Sequence, residues 1–139
     1  MILFKKEWVL DPDNPLAYGE ASSSFKKTLK QLGLPSDTVK RTAISMYEAE
    51  INTIIHGKGG RAEAQIDDSQ ILIIFEDEGP GIPDIELAMQ EGYSTASAEI
   101  REMGFGAGLG LPNIKKNSNN LKIESEPGRG TKVIITINL

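Results

Sequence analysis

The sequence predicts an α/β fold, a two-layer α/β sandwich in which a mixed, mostly antiparallel sheet carries its helices on one face. Three observations lead there. Short runs rich in β-branched and aromatic residues stand at 2–10, 61–67, 70–76, 121–125 and 131–138, which supply a four- or five-strand sheet. Between the first two runs lie two stretches whose apolar residues recur at helical spacing. The run Ile71-Leu-Ile-Ile-Phe75 is apolar throughout, as befits a strand at the centre of a sheet. A chain of 139 residues is expected to form one domain, 1–139, around a single core.

In chain order, residues 2–10 read as the first strand and Asp11-Pro-Asp-Asn-Pro15 as a dense turn cluster. Leu16, Ala17, Ala21, Phe25, Leu29 and Leu32 then predict a helix that stops at Gly33. Pro35-Ser36-Asp37 opens a second helix running to about His56, closed by Gly57-Lys-Gly-Gly60. Val39, Ala43, Met46, Tyr47, Ile51 and Ile54 form its apolar arc. Glu50 falls inside that arc, where burial demands a partner or an edge position. Asp68-Ser69 joins the strands at 61–67 and 70–76 as a hairpin. A short helix at 84–91, a polar stretch from Ser94 to Glu102 and a glycine-rich run precede a helix ending near Asn117. The last two strands turn at Pro127-Gly-Arg-Gly130.

Bulk properties exclude several classes. A net charge of −5 argues against nucleic acid as the partner, since binding a phosphate backbone needs a concentrated basic surface. No apolar run approaches membrane-spanning length, and the first residues lack the basic-then-apolar pattern of a leader. With no cysteine there is neither a disulfide framework nor a thiolate metal site, and a cytoplasmic location is expected.

The chemistry concentrates in three places. Gly104-Phe-Gly-Ala-Gly-Leu-Gly110 alternates glycines and runs into Leu111-Pro-Asn-Ile-Lys-Lys116. Ordering glycine is costly, and what it provides is a backbone able to approach a ligand. The helix start that follows directs free amides and a positive dipole end at a phosphate, although a flexible linker has a similar composition. Neither Gly-x-x-x-x-Gly-Lys-Ser/Thr nor Gly-x-Gly-x-x-Gly is present, so the loop is neither a P-loop nor a dinucleotide fingerprint. On the second helix Glu48 and Asn52 stack one turn apart at the edge of the apolar arc, with His56 a turn further on. Such a pair suits a proton acceptor and a metal ligand, and it equally suits a solvated i,i+4 contact, with His56 an ordinary helix-end residue. Asp77 ends the apolar strand beside Gly79 and Gly81, where it reads either as an acceptor for an exocyclic amine such as adenine's or as a turn aspartate.

Taken in order, Glu48-x-x-x-Asn52, Asp77-x-Gly79-x-Gly81, the Gly104–Gly110 run and Gly130-Thr131 resemble the boxes of the GHKL ATPase superfamily, from about residue 36 onward. That superfamily joins gyrase, heat-shock chaperone, histidine kinase and mismatch-repair ATPases on the Bergerat ATP-binding fold. Within it the chain looks most like the small stand-alone serine kinases that act as anti-sigma factors or switch proteins (the SpoIIAB, RsbW and RsbT group). Glu76-Asp-Glu-Gly-Pro-Gly-Ile-Pro-Asp-Ile85, Glu91-Gly-Tyr-Ser-Thr95 and His56-Gly-Lys-Gly59 carry that likeness, while Ser97 to Gly110 is longer than the switch-kinase glycine box.

The resemblance implies ATP and Mg2+ as cofactors. It makes Glu48 the general base and Asn52 the Mg2+ ligand. Asp77 would accept from the adenine amine, Gly79, Gly81 and Ile82 would shape the nucleotide pocket, and the Thr131 hydroxyl would support it. Residues 94–107, including Gly104, would form a lid. Backbone amides at Gly106, Ala107, Gly108, Leu109 and Gly110 would hold the phosphates, and Arg101 would reach the γ-phosphate. The leading expectation is an ATP-dependent serine/threonine protein kinase acting on a small STAS-domain antagonist. Its competitor is a nucleotide-gated binding module that sequesters a sigma factor or activates an enzyme without significant phosphotransfer. Residues 2–10 also offer a sheet edge for a homodimer.

Overall fold

The computed structural model describes residues 1–81, 89 and 110–139. Five strands form one sheet: β1 (Ile2–Leu10), β2 (Gly60–Asp67), β3 (Gln70–Asp77), β4 (Asn120–Glu126) and β5 (Gly130–Asn138). Their spatial order is β1-β2-β3-β5-β4, which puts the apolar β3 at the centre as its composition predicts. All four pairings are antiparallel, so the parallel component of the expected mixed sheet is absent among the described residues. The short connections explain two of these pairings, because a tight hairpin is antiparallel by construction. At the β2–β3 hairpin, Asp67 Oδ1 accepts from the Ser69 and Gln70 amides, each at 2.8 Å. Between β1 and β2 the chain runs out and back through two helices, so Leu10 at the end of β1 pairs with Gly60 at the start of β2.

Those helices are α1 (Glu20–Gln31) and α2 (Ser36–His56), and α3 (Gly110–Asn117) follows later. The long α2 lies across β2, β3 and β5, with α1 on one flank and α3 on the other. Period-two alternation sends Ala62, Ala64, Ile66, Ile71, Ile73, Phe75, Val133, Ile135 and Ile137 to one face, where all are buried. They meet Phe25, Leu29, Val39, Met46, Ile54, Leu111 and Ile114 from the helices in a single cluster. Phe4 stacks on Phe25 and Trp8 meets the same ring edge-on, with centroids 6.0 and 6.2 Å apart, which fastens the edge strand to α1.

The first helix differs from expectation. Pro15–Ala17 is a single 3-10 turn, Leu16 is fully exposed, and α1 begins only at Glu20. Gly19 takes φ +90°, a left-handed conformation that interrupts the apolar periodicity. The reason lies in α2. Glu50, only 1% exposed, accepts from the amides of Gly19 (3.0 Å), Ala21 (3.2 Å) and Ser22 (2.8 Å). A carboxylate at a helix N-terminus satisfies orphan donors and faces the positive dipole end. Glu50 is therefore the tie that starts α1 and fastens it to α2. Tyr47, placed by spacing in the apolar arc, is 38% exposed, with its ring beside Gly19.

Candidate functional site

Beside its buried stripe, α2 carries Glu48, Asn52 and His56, all half-buried. Burial raises the Glu48 carboxyl above its ordinary value, and a hydrogen bond from the Asn113 side-chain amide on α3 opposes that rise. Burial also holds His56 below its usual value, which favours the neutral imidazole. The sequence pairs Glu48 with Asn52 alone. Asn113 was missed because no spacing rule links residues on two helices far apart in the chain.

The second part of the site is the end of β3. Asp77 follows Ile73 and Phe75 on the inward face of the strand and sits directly opposite Thr131. Its carboxyl is also raised by burial, with the backbone amides of Gly79 and Thr131 pulling the other way. The Gly79 amide donates to Asp77 Oδ1 at 2.9 Å, so one oxygen is fixed in a tight turn. Gly57, the first residue past α2, lies so close that a Cβ there would collide with the Asp77 carboxylate. That contact joins the two parts of the site, since the carboxy-terminal end of the helix bearing Glu48 and Asn52 abuts Asp77. The Thr131 hydroxyl lies 2.9 Å from Ser125 Oγ, which also donates to the Gly130 carbonyl at 3.1 Å. On the other side of the bend, Gly81 packs against the Glu126 carbonyl and the Gly128 amide donates to the Pro80 carbonyl at 2.8 Å. The β4–β5 turn thus braces the bend that follows Asp77. An open cleft of about 330 Å³ at this end of the sheet is lined by Asp77, Ser125, Gly130 and Thr131 together with the charged Glu76, Glu124, Glu126, Arg129 and Lys132.

Asp77, Gly79, Gly81 and Thr131 therefore gather at one end of the sheet, and Glu48 and Asn52 stand on the helix that ends there. Gly110 opens α3, which packs along α2. Ile82, Arg101, Gly104, Gly106, Ala107, Gly108 and Leu109, together with the expected lid at 94–107 and most of the helix at 84–91, lie outside the described residues. Gly57 and Ser125 join the candidates on geometry. His56-Gly57-Lys58-Gly59 hinted at the first, and nothing in the sequence singled out the second.

The residues present fit a nucleotide: a half-buried acceptor at Asp77 beside a supporting hydroxyl suits an exocyclic amine. Among the described residues no three His, Asp or Glu side chains group as a metal site. Asn52 as a single oxygen ligand suits Mg2+, an ion that keeps its waters and shares phosphate oxygens. No helix among the described residues is long and apolar enough to cross a membrane.

Comparison with known proteins agrees with this geometry. A family model described as histidine kinase-, DNA gyrase B-, and HSP90-like ATPase matches residues 43–139. The chain is 32% identical over 112 residues to the serine/threonine-protein kinase RsbT of Bacillus subtilis (strain 168), covering 78% of each. It is 36% identical over 119 residues to the anti-sigma F factor of Clostridium acetobutylicum, covering 82% of this chain and 75% of that one. Against the anti-sigma F factor of Clostridium beijerinckii the identity is 33% over 135 residues, with 93% and 89% covered. In fold it is similar to a mycobacterial sensor histidine kinase, MprB, with a TM-score of 0.55 at 16% identity and 97% of both chains covered.

Proposed function

Since this chain belongs to the histidine kinase-, DNA gyrase B- and HSP90-like ATPase family, we propose that it is an ATP-dependent serine/threonine protein kinase of the anti-sigma factor or switch-kinase type, acting in the cytoplasm on a small STAS-domain regulatory protein. One observation carries the reading: Glu48 and Asn52 stand half-buried one turn apart on the helix whose end abuts Asp77. Relatives named as a serine/threonine-protein kinase and as anti-sigma factors support it.

In this reading Asp77 accepts the adenine amine, Thr131 supports the pocket through its hydroxyl, and Gly79 and Gly81 shape the bend. Asn52 directs its amide oxygen to Mg2+, which when bound supplies neutralisation of the phosphate charge. Glu48 takes the proton from the attacking serine or threonine hydroxyl. The burial that raises its carboxyl makes it a stronger base than a solvated glutamate. Ile82, Arg101, Gly104 in the lid and the amides from Gly106 to Gly110 would complete the nucleotide site. The partner's docking face includes the open side of Glu48, because the hydroxyl must reach it directly.

The anti-sigma names favour a second role for the same fold, capture of a sigma factor gated by nucleotide. Exposed Ile2, Leu3 and Val9 on the unpaired edge of β1 supply a surface for pairing with a second copy.

The test begins with calorimetric titration by ATP and Mg2+. Wild type binds in the micromolar range, and Asp77→Asn loses at least about tenfold, the worth of one hydrogen bond to a charged group. Incubation with radiolabelled ATP and a candidate STAS-domain protein then yields phosphoprotein with wild type and none with Glu48→Ala. Nucleotide-dependent capture that survives Glu48→Ala, with no phosphoprotein from either chain, establishes the binding module instead.

A further inference from the structure

Three half-buried polar residues stand in one row at the end of the sheet: Asp77 on β3 lies opposite Thr131 on β5, and Thr131 lies opposite Ser125 on β4. The next row on the same face, Phe75, Val133 and Ile123, is apolar. We infer that Ser125 is a positioning residue that fixes the Thr131 hydroxyl as a hydrogen-bond acceptor, so that the site prefers a purine with a 6-amino group to one with a 6-oxo group. The inference rests on the assignment of Asp77 and Thr131 to the nucleotide base, and it adds a residue that this assignment does not contain.

A count of protons carries it. Each hydroxyl has one proton to donate and two lone pairs to offer. Ser125 Oγ lies 3.1 Å from the Gly130 carbonyl, which can only accept, so the Ser125 proton is committed there. The same Oγ lies 2.9 Å from Thr131 Oγ1, a contact in which distance alone allows either hydroxyl to donate. With the Ser125 proton on Gly130, the donor is Thr131. Its proton then points along the row toward β4, and it turns lone pairs toward the side of Asp77. The carbonyl that starts this chain is itself held in place. Gly130 has φ +108°, and a Cβ there would collide with the Asp77 carbonyl. Across the row Asp77 Oδ1 accepts from the Gly79 amide, and an ionised carboxylate can only accept. The row thus meets a base with two acceptors. A 6-amino group brings two N–H bonds to them, whereas a 6-oxo group sets its lone pairs against those of Thr131. Without the Ser125 hydroxyl, the Thr131 proton is released, the hydroxyl can turn, and either base is accepted.

The experiment is calorimetric titration with Mg2+ and either ATP or inosine triphosphate, which carries a 6-oxo group in place of the amine and a proton at N1. Wild type should bind ATP about thirtyfold more tightly, the scale of one mispaired buried acceptor. In Ser125→Ala the ratio should fall below about threefold, through tighter binding of inosine triphosphate, while ATP affinity stays within about threefold of wild type. Thr131→Val keeps the shape and removes the hydroxyl. In that background Ser125→Ala should leave the ratio unchanged, because a residue acting only through Thr131 has nothing left to orient. Ser125→Cys, of similar size with a weak donor, serves as the second variant and should narrow the ratio in the same direction. A ratio that both Ser125 variants leave at the wild-type value overturns the inference. Equal weakening of both nucleotides also overturns it, since that is the mark of a brace with no part in choosing the base. Wild type binding both nucleotides alike refutes the acceptor arrangement and leaves the nucleotide site standing. Wild type binding neither refutes the nucleotide reading itself, and the role of Ser125 with it.

Discussion

Glu48 and Glu50 are separated by one residue on α2, and they leave the helix in different directions: Glu48 faces α3 and Glu50 faces α1. Both are removed from water, and burial raises both carboxyls. They differ in their donors. Glu50 receives three backbone amides at the start of α1, which engage both of its oxygens. Glu48 is half-buried and, among the described residues, accepts from no backbone amide. A buried carboxylate surrounded by backbone donors is a structural tie, whereas one that is partly exposed and meets no backbone donor among the described residues is available to take a proton. The number and origin of the donors, rather than the burial or the direction of the pKa shift, separate the two roles.

The largest expected effect tests the reactive side of this contrast. Glu48→Gln should lower phosphorylation of the partner by at least about a hundredfold, the usual scale for losing a general base, with the fold intact. A rate within a few fold of wild type would leave Glu48 no more reactive than Glu50. The structural side is tested by Glu50→Ala, which strands three buried amides and should cost about 3 kcal/mol in denaturant unfolding. A loss under about 1 kcal/mol would mean that α1 starts without its tie. Next comes Gly57→Ala. Its backbone conformation is ordinary (φ −86°), so the cost arises from the methyl group striking Asp77, and ATP affinity should fall about tenfold with α2 intact by circular dichroism.

The pH dependence of stability gives a smaller effect whose sign is fixed. Below the ordinary carboxyl value of 4.5, Glu48 is protonated in both the folded and unfolded chains and contributes nothing. As pH rises from there through the raised folded value, the folded state must hold a poorly solvated charge, and stability is lost. Glu48→Gln should therefore melt a few degrees above wild type at neutral pH, with the gap closing as pH falls toward that value. The smallest effect is at Ser45, whose fully buried hydroxyl has no hydrogen-bond partner among the described residues. Ser45→Ala should be neutral or stabilising by up to about 1 kcal/mol, because it removes an unsatisfied polar group.

Most of the architecture follows from sequence alone, because strand and helix periodicities are local. Ile71 to Phe75 announce a central strand, the turn residues at 68–69 and 127–130 mark both hairpins, and the spacing from Val39 to Ile54 marks α2. The order of the motifs also points to the ATPase family that residues 43–139 match. Where local periodicity and long-range contact compete, the contact prevails. Leu16 continues the helical pattern, yet the helix begins at Glu20, because the acceptor for its first amides is Glu50, about thirty residues away in the chain. Tyr47 fits the apolar arc by angle, yet its ring lies beside Gly19 and stays 38% exposed.

What the sequence by itself determined is the set of elements, the inward face of each strand and the chemical types available for a nucleotide site. Each of these depends on neighbours within a few residues. Only the tertiary structure decided that Glu50 fastens α1 and that Gly57 must lack a side chain to admit Asp77. In each case the deciding contact joins elements far apart in the chain, and such contacts exist only once α1, α2, α3 and the sheet have packed.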